Sequence, residues 1–179
     1  MPGRPPRAST PRGLPSSDVG ARHRPASPAG GGRGEKAVEE LIEGGPTVEV
    51  VQEIAASPET VFSYLVEPAK FTAWMGVGAE LDPRPGGRVR IDVDGEHIAV
   101  GEFVTVDPPH RVVMTWGWEN NRSVPPGSTT VEISLKPHGR GTLLHLRHTG
   151  LPDEKERRSH QGGWNQYTGN MAALLNRRP

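Results

Sequence analysis

Five strand-like segments follow one another between residues 88 and 148, with only turns and loops between them. They span residues 88–93, 96–106, 111–118, 129–135 and 142–148. Apolar residues alternate along them, as in strands that bury one face, and Asp94-Gly95 is a strong two-residue hairpin signal. Strands joined in this way pair antiparallel, and their apolar face must be covered. The long segment after Asp153, a plausible N-cap, predicts a C-terminal helix that provides this cover.

A further strand and two short helices precede this meander. Residues 48–54 alternate as a strand, and Ser57-Pro58 combines an N-cap residue with proline at the first helical position. Pro68 then breaks the helix before a second short helix that carries Trp74. The predicted fold class is therefore α+β, a curved antiparallel sheet gripping a long C-terminal helix, with two short helices after the first strand.

The N-terminal part of the chain has a different composition. Residues 1–46 are rich in Pro, Gly and Arg and cannot bury enough apolar surface to offset chain entropy. We expect a disordered tail over 1–46 and a folded domain over 47–179; translation starting downstream, at Val38 or Val48, is a further hypothesis. Residues 1–34 carry a charge of +5 and the remainder −5. Because nucleic-acid binding needs a basic surface, no nucleic-acid partner is expected for the folded domain.

Several classes of protein are excluded by what the sequence lacks. Without cysteine there are no disulfides, thiolate nucleophiles or cysteine metal sites. No apolar run approaches the ~20 residues that span a bilayer, and no secretory signal is recognisable, so a cytoplasmic location without membrane insertion is expected. No phosphate loop, nucleophile elbow or metal-binding His-Glu spacing occurs, so neither cofactor nor metal is expected. The sequence does not specify an oligomeric state.

The C-terminal segment 160–175 carries an aromatic stripe. Trp164, Tyr167 and Met171 recur at helical spacing, and His160 joins them. Gly169 is predicted on the solvent side, and Gly162-Gly163 at the leading end of the helix, where a kink or late start is tolerated.

The strands supply a facing wall. Trp116 shares a face with Met114, and His148 shares one with Leu144, whereas His145 points the other way and cannot chelate with His148. Aromatic, methionine and histidine side chains of this kind are typical of a small-molecule site. The alternative is that they are ordinary core residues, because aromatics at helical spacing are most often core.

Four stretches in order resemble a known family. They are Ala-Ser-Pro-Glu at 56–59, Asp-Pro-Pro to Thr-Trp within 107–116, His-Thr-Gly-Leu-Pro at 148–152, and His160 with Gly163-Trp164. Over residues 47–176 the chain resembles the START-like helix-grip superfamily (SRPBCC), in the branch named after the activator of heat-shock-protein-90 ATPase homologues. This resemblance implies about seven antiparallel strands curved around the C-terminal helix, with a hydrophobic cavity between them.

The resemblance leaves three functions open. The favoured one is binding of a small hydrophobic or aromatic molecule, a lipid or polyketide-like metabolite for example, without assured catalysis. The residues predicted to contact it are Trp74, Met114, Trp116, His148, His160, Trp164, Tyr167 and Met171. A polyketide cyclase or dehydratase would instead use His148 and His160 as acid or base and Tyr167 as proton donor, with Glu102 a weaker candidate. The third function is a co-chaperone-like interaction with heat-shock protein 90 or a regulator.

Overall fold

A computed structural model describes residues 46–177 of the 179-residue chain. The tail predicted for residues 1–46 lies outside the described residues except for Pro46. The elements are β1 (Val48–Ile54), α1 (Pro58–Val66), α2 (Pro68–Phe71), β2 (Gly78–Leu81), β3 (Arg88–Asp92), β4 (Ile98–Asp107), β5 (Arg111–Trp116), β6 (Thr129–His138), β7 (Gly141–Thr149) and α3 (Glu154–Leu175).

The strands form one seven-stranded sheet in the order β1-β7-β6-β5-β4-β3-β2, and neighbouring strands are antiparallel. The first strand therefore lies beside the last, with Val48 opposite His148. The long helix α3 covers the apolar face, and α1 and α2 follow β1 as predicted. The α+β helix-grip fold is confirmed.

Several local features differ from the sequence prediction. The helix α2 ends at Phe71, so it does not carry Trp74, which lies in the turn that follows. The edge strand β2 was not recognised, because four residues beginning with a glycine give little alternation to detect. The hairpin at Asp94-Gly95 is wider than two residues, since the β3–β4 ladder ends at Asp92 opposite Ile98. Asp94 Oδ1 accepts hydrogen bonds from the backbone N–H groups of Glu96 and His97 at 3.0 and 2.8 Å, so these amides serve the loop rather than the ladder.

Strand β4 bends where it passes from one neighbour to the other. Its first half pairs with β3, its second half pairs with β5, and the register shifts between Phe103 and Thr105. A β-bulge of this kind increases the local bend and twist. Gly101 lies beside it, and a Cβ there would collide with the carbonyl oxygen of Thr115. Glycine is therefore required at this position by the close approach of two backbones.

Helix α3 begins earlier than its glycines suggested. Asp153 is the N-cap, as predicted, and its side chain accepts a hydrogen bond from the Glu156 N–H at 2.8 Å. The placement of Gly162 and Gly163 at the leading end is wrong, because the helix runs through both. Burial of one face, which includes Trp164 and Met171, stabilises the helix enough to override the low propensity of glycine.

Side-chain hydrogen bonds fasten α3 to the edge strand β1. Gln161 Nε2 donates to the Glu49 carbonyl at 3.0 Å, and Asn176 Oδ1 accepts from the Ala55 N–H at 2.7 Å. The helix therefore meets β1 near both of that strand's ends. Among residues 46–177, no helix combines the length and apolarity required to cross a membrane.

Candidate functional site: a tryptophan–histidine cluster beside an open cleft

A buried histidine lies where α3 meets the sheet. His148, on β7, is fully buried, and its Nδ1 accepts a hydrogen bond from the indole N–H of Trp164 at 3.0 Å. Its Nε2 lies 2.7 Å from Thr129 Oγ1, and that hydroxyl donates to the Trp116 carbonyl at 2.8 Å. An indole nitrogen can only donate, and the single hydroxyl proton of Thr129 is already committed. His148 is therefore neutral, with its proton on Nε2.

A second histidine has the opposite tautomer. His160, on α3, accepts a hydrogen bond at Nε2 from the indole N–H of Trp118 at 3.0 Å. Its Nδ1 lies 2.8 Å from the carbonyl oxygen of Glu156, so this nitrogen carries the proton. The two imidazole rings meet edge to face, with centroids 5.0 Å apart. In both histidines, each ring nitrogen is engaged in a hydrogen bond.

The surroundings of His148 favour its uncharged form. Burial lowers the pKa of His148 to about 3, and a second contribution comes from repulsion by His160. Protonation of Nδ1 would also break the hydrogen bond from Trp164. His148 therefore acts as a fixed polar bridge between β6 and α3 rather than as a group that exchanges protons near neutral pH.

Trp116 is packed into the middle of these rings. Its ring centroid lies 5.1 Å from that of Trp164, 5.5 Å from that of Trp118 and 6.3 Å from that of His148. Among the described residues, its Nε1 is the one buried side-chain nitrogen or oxygen without a hydrogen-bond partner. The side chains of Trp116, His148 and Trp164 contact one another directly, so the space between them is filled.

An open cleft of about 380 Å³ lies beside this cluster. It is bordered by the β3–β4 loop, the segment after β5 and the first half of α3. Its lining consists of Met75, Val93, Asp94, Glu96, His97, Trp116, Trp118, Glu119, Asn121, Glu156, Ser159, His160, Gly163, Trp164 and Tyr167. The cleft opens to solvent at one end of the interface between the sheet and α3.

Two groups at the cleft have shifted pKa values. Hydrogen bonds from the backbone N–H groups of His97 and Glu96 lower the pKa of Asp94 to about 2, with a further contribution from the His97 side chain. Burial raises the pKa of Tyr167, and the charge of Asp94 raises it further. Tyr167 is therefore a phenol at neutral pH, and Asp94 is a carboxylate whose field reaches it.

The eight predicted site residues separate into two groups. Trp116, His160, Trp164 and Tyr167 line the cleft. Trp74, Met114, His148 and Met171 are buried and do not line it. The indole N–H of Trp74, for example, donates to the Tyr64 carbonyl at 2.9 Å. This second group belongs to the core, as the alternative interpretation of the pattern predicted.

The sequence of the domain matches a known protein family. A family model described as Activator of Hsp90 ATPase homolog 1-like protein matches residues 55–176. The chain belongs to this AHSA1-like family. The resemblance drawn from the sequence is confirmed. A search of curated proteins finds no match.

Solved structures agree with this assignment of an AHSA1-like domain. The AHSA1-like protein of Rhizobium etli is 40% identical, with 73% of this chain and 81% of that chain covered at a TM-score of 0.60. Protein MLL2253 of Mesorhizobium loti is 25% identical, with 75% and 99% covered at a TM-score of 0.65. An Hsp90 activator of Plasmodium falciparum is 24% identical, with 74% and 97% covered at a TM-score of 0.59, and shows likeness of fold alone.

Several residues of this AHSA1-like cleft escaped the sequence prediction. Trp118 was included in the predicted strand 111–118 but was not counted among the site residues, and Asp94 was interpreted only as part of a turn. Glu119 and Glu156 also line the cleft. They come from loops and a helix far apart in sequence, so periodicity within one element could not relate them. The excess of carboxylates over Lys and Arg beyond residue 34 was the one available signal.

Proposed function

We propose that this AHSA1-like domain binds a small apolar or aromatic molecule in the open cleft. The observation that carries the proposal is the wall formed by Trp116, Trp118, Trp164 and Tyr167 around a volume of about 380 Å³. Small-molecule sites have volumes of about 300–1,000 Å³ and combine apolar walls with a few polar groups. A ring system the size of naphthalene would fit between these side chains and exclude water from them.

Two neighbouring glycines provide a matched test of the site. Gly163 lines the cleft, and a Cβ there would lie 4.0 Å from Tyr167, whereas a Cβ at Gly162 would meet nothing within 4 Å. Gly163→Leu fills part of the cleft, and Gly162→Leu places the same side chain on the same helix outside it. Binding of naphthylethanol would be followed by tryptophan fluorescence and by amide chemical shifts of the cleft residues.

We expect Gly163→Leu to weaken naphthylethanol binding by about tenfold or more, because the leucine side chain occupies part of the cleft. A tenfold loss in affinity corresponds to about 1.4 kcal/mol. Gly162→Leu should bind as the parent protein does. The proposal fails if the parent protein does not bind the probe, or if both variants bind it equally well.

The cyclase or dehydratase alternative receives less support from the geometry. A general acid or base must be free to exchange a proton with its substrate. Both ring nitrogens of His148 and of His160 are held by hydrogen bonds within the domain. Glu102 does not line the cleft. Of the predicted catalytic groups, His160 and Tyr167 line the cleft. Because both ring nitrogens of His160 are engaged, Tyr167 is left as the candidate proton donor.

A co-chaperone role is the second alternative, and the family description is what favours it. An assay of ATP hydrolysis by the host's own heat-shock protein 90, with and without this domain, would test it. Stimulation would support this role, and an unchanged rate together with no retention in a pull-down would remove it. The cytoplasmic location likewise stays a prediction.

A further inference from the structure

The cleft is lined by acids and by no strong base. Its charged lining residues are Asp94, Glu96, Glu119 and Glu156, and no Lys or Arg belongs to the lining within the described part of the chain. They come from the β3–β4 loop, the segment after β5 and the first turn of α3, so they approach the cleft from three sides. A negative potential therefore surrounds an aromatic wall.

Of these four carboxylates, Glu119 alone pairs with an Arg or Lys among the described residues, whereas Asp94 and Glu156 each lie near a histidine. Asp94 Oδ2 lies 2.8 Å from His97 Nδ1, and Glu119 Oε1 lies 3.3 Å from Arg90 Nε. Neither Glu96 nor Glu156 pairs with a Lys or Arg among residues 46–177.

The surroundings of Glu156 strengthen the attraction of its carboxylate for a cation. Its side chain is only 16% exposed, and its carboxylate lies 3.8 Å from Nδ1 of His160. That nitrogen already donates to the Glu156 backbone carbonyl, and Nε2 accepts from Trp118. A largely buried carboxylate without a Lys or Arg partner attracts a cation more strongly than an exposed one, because solvent screens it less.

The aromatic wall independently favours a cation. Faces of Trp and Tyr rings attract ammonium groups through their quadrupole. Trp118 and Tyr167 are only partly buried and line the cleft, and Trp116 also lines it. These rings therefore present π faces to a cation bound in the cleft.

We infer that the cleft selects cations, and that its ligand is an apolar or aromatic molecule carrying a protonated amine or a quaternary ammonium group. This inference rests on the proposed function and narrows its ligand class. The rings hold the apolar body, and Glu96 and Glu156 neutralise the charge at the rim. Anions of the same shape, such as fatty acids and aromatic carboxylates, are repelled by the same carboxylates.

Three probes with one ring system and three charges test this inference. Naphthylethylamine, naphthylethanol and naphthylacetic acid are respectively a cation, a neutral molecule and an anion at neutral pH. Affinities would be measured by isothermal titration calorimetry at low ionic strength. We expect the amine to bind about tenfold tighter than the alcohol, and the acid to bind weakest. Added salt should narrow these differences.

Charge-neutralising variants test whether Glu96 and Glu156 cause the preference for the amine. In the double variant Glu96→Gln/Glu156→Gln, the amine should lose about tenfold in affinity and the alcohol should be unaffected. Glu102→Gln is a matched control, since it removes the same kind of charge from a residue that does not line the cleft. Thermal melting of each variant establishes that it is folded.

The outcomes separate the two proposals. If the alcohol binds and the amine binds no tighter, the cleft is a ligand site without charge selection and the present inference is overturned. An amine preference that survives the double variant also overturns it, because the cleft carboxylates would not be its cause. If none of the three probes binds, the proposed function fails together with this inference.

Discussion

The indole N–H of Trp164 donates to Nδ1 of His148 at 3.0 Å, between the C-terminal helix and the last strand of the sheet. Both groups are buried, so no water replaces this hydrogen bond if it is lost. Together with the contact from Nε2 to Thr129, it holds the imidazole neutral in a single tautomer. The interface of α3 with the sheet therefore contains buried polar contacts, and the first three predictions below test this description.

Acid should destabilise the domain through His148. Its pKa is 6.5 in an exposed state and is lowered to about 3 by burial and by His160. Below pH 6.5 the unfolded chain binds a proton that the folded domain does not, so the stabilisation is complete above that pH and is lost as the pH falls toward 3. We expect this group to remove about 1.4 kcal/mol of unfolding free energy per pH unit inside that window.

Urea denaturation at a series of pH values measures this slope. In His148→Gln, which lacks the titrating group, the difference in stability from the parent protein should shrink as the pH falls. His145→Gln, on the outer face of the same strand, should leave the slope of the parent protein intact. Parallel curves for the parent protein and His148→Gln would show that His148 is not held neutral.

Two Trp→Phe substitutions in one cluster isolate a single hydrogen bond. Trp164→Phe removes the donor to His148, whereas Trp116→Phe removes an N–H that has no partner. Both lose similar ring area, so the difference between them reports the unsatisfied Nδ1. We expect Trp164→Phe to lose about 1–3 kcal/mol more unfolding free energy than Trp116→Phe. Equal losses in chemical denaturation would contradict the assigned bond.

Buried threonines offer a second matched pair. Thr129→Val leaves the Nε2–H of His148 without its acceptor. Thr168 is equally buried, but its hydroxyl donates to the Trp164 carbonyl within the same helix, where that oxygen also accepts the backbone bond. We expect Thr129→Val to cost about 1–3 kcal/mol more than Thr168→Val in the free energy of unfolding. A smaller loss at Thr129 would argue against the bridge from β6 to His148.

Alanine at two helix glycines should stabilise the domain. A Cβ at Gly162 or at Gly169 would meet nothing within 4 Å, and both residues lie inside α3. Gly162→Ala and Gly169→Ala should each raise the unfolding free energy by about 1 kcal/mol, because alanine loses less backbone entropy in a helix. Gly101→Ala is the opposite case, since its Cβ would collide with Thr115. A lower melting temperature for either helix variant would contradict the open space described around these glycines.

The sequence predicted those features that depend on local patterns. Alternation identified most strands, and capping residues such as Ser57 and Asp153 marked where α1 and α3 begin. The interior position of Gly162 and Gly163 was missed because tertiary packing of α3 overrides the propensity of glycine. Asp94 accepts hydrogen bonds from the N–H groups of Glu96 and His97, and the β3–β4 turn is wider than the two residues that Asp94-Gly95 predicted.

The candidate site was predicted only in part, and the reason is its construction from distant segments. The stripe on α3 grouped His160, Trp164 and Tyr167 because one helix carries all three, and all three line the cleft. The bond from Trp118 to His160 joins residues 42 positions apart, and no periodicity relates them. The packing of the neighbouring rings decides which side of Trp116 is covered and which side faces the cleft. This packing cannot be predicted from composition.

The pairing of β1 with β7 has a consequence for the order in which the domain assembles on the ribosome. Val48 emerges about a hundred residues before its partner His148, so the edge of β1 must remain without its native neighbour for most of translation. The hydrogen bonds from Trp164 and Gln161 form later still, when α3 leaves the exit tunnel. Contacts between residues this distant in sequence slow folding. While α3 is still inside the exit tunnel, the emerged strands would therefore lack their helical cover, and emergence of α3 would complete the interface.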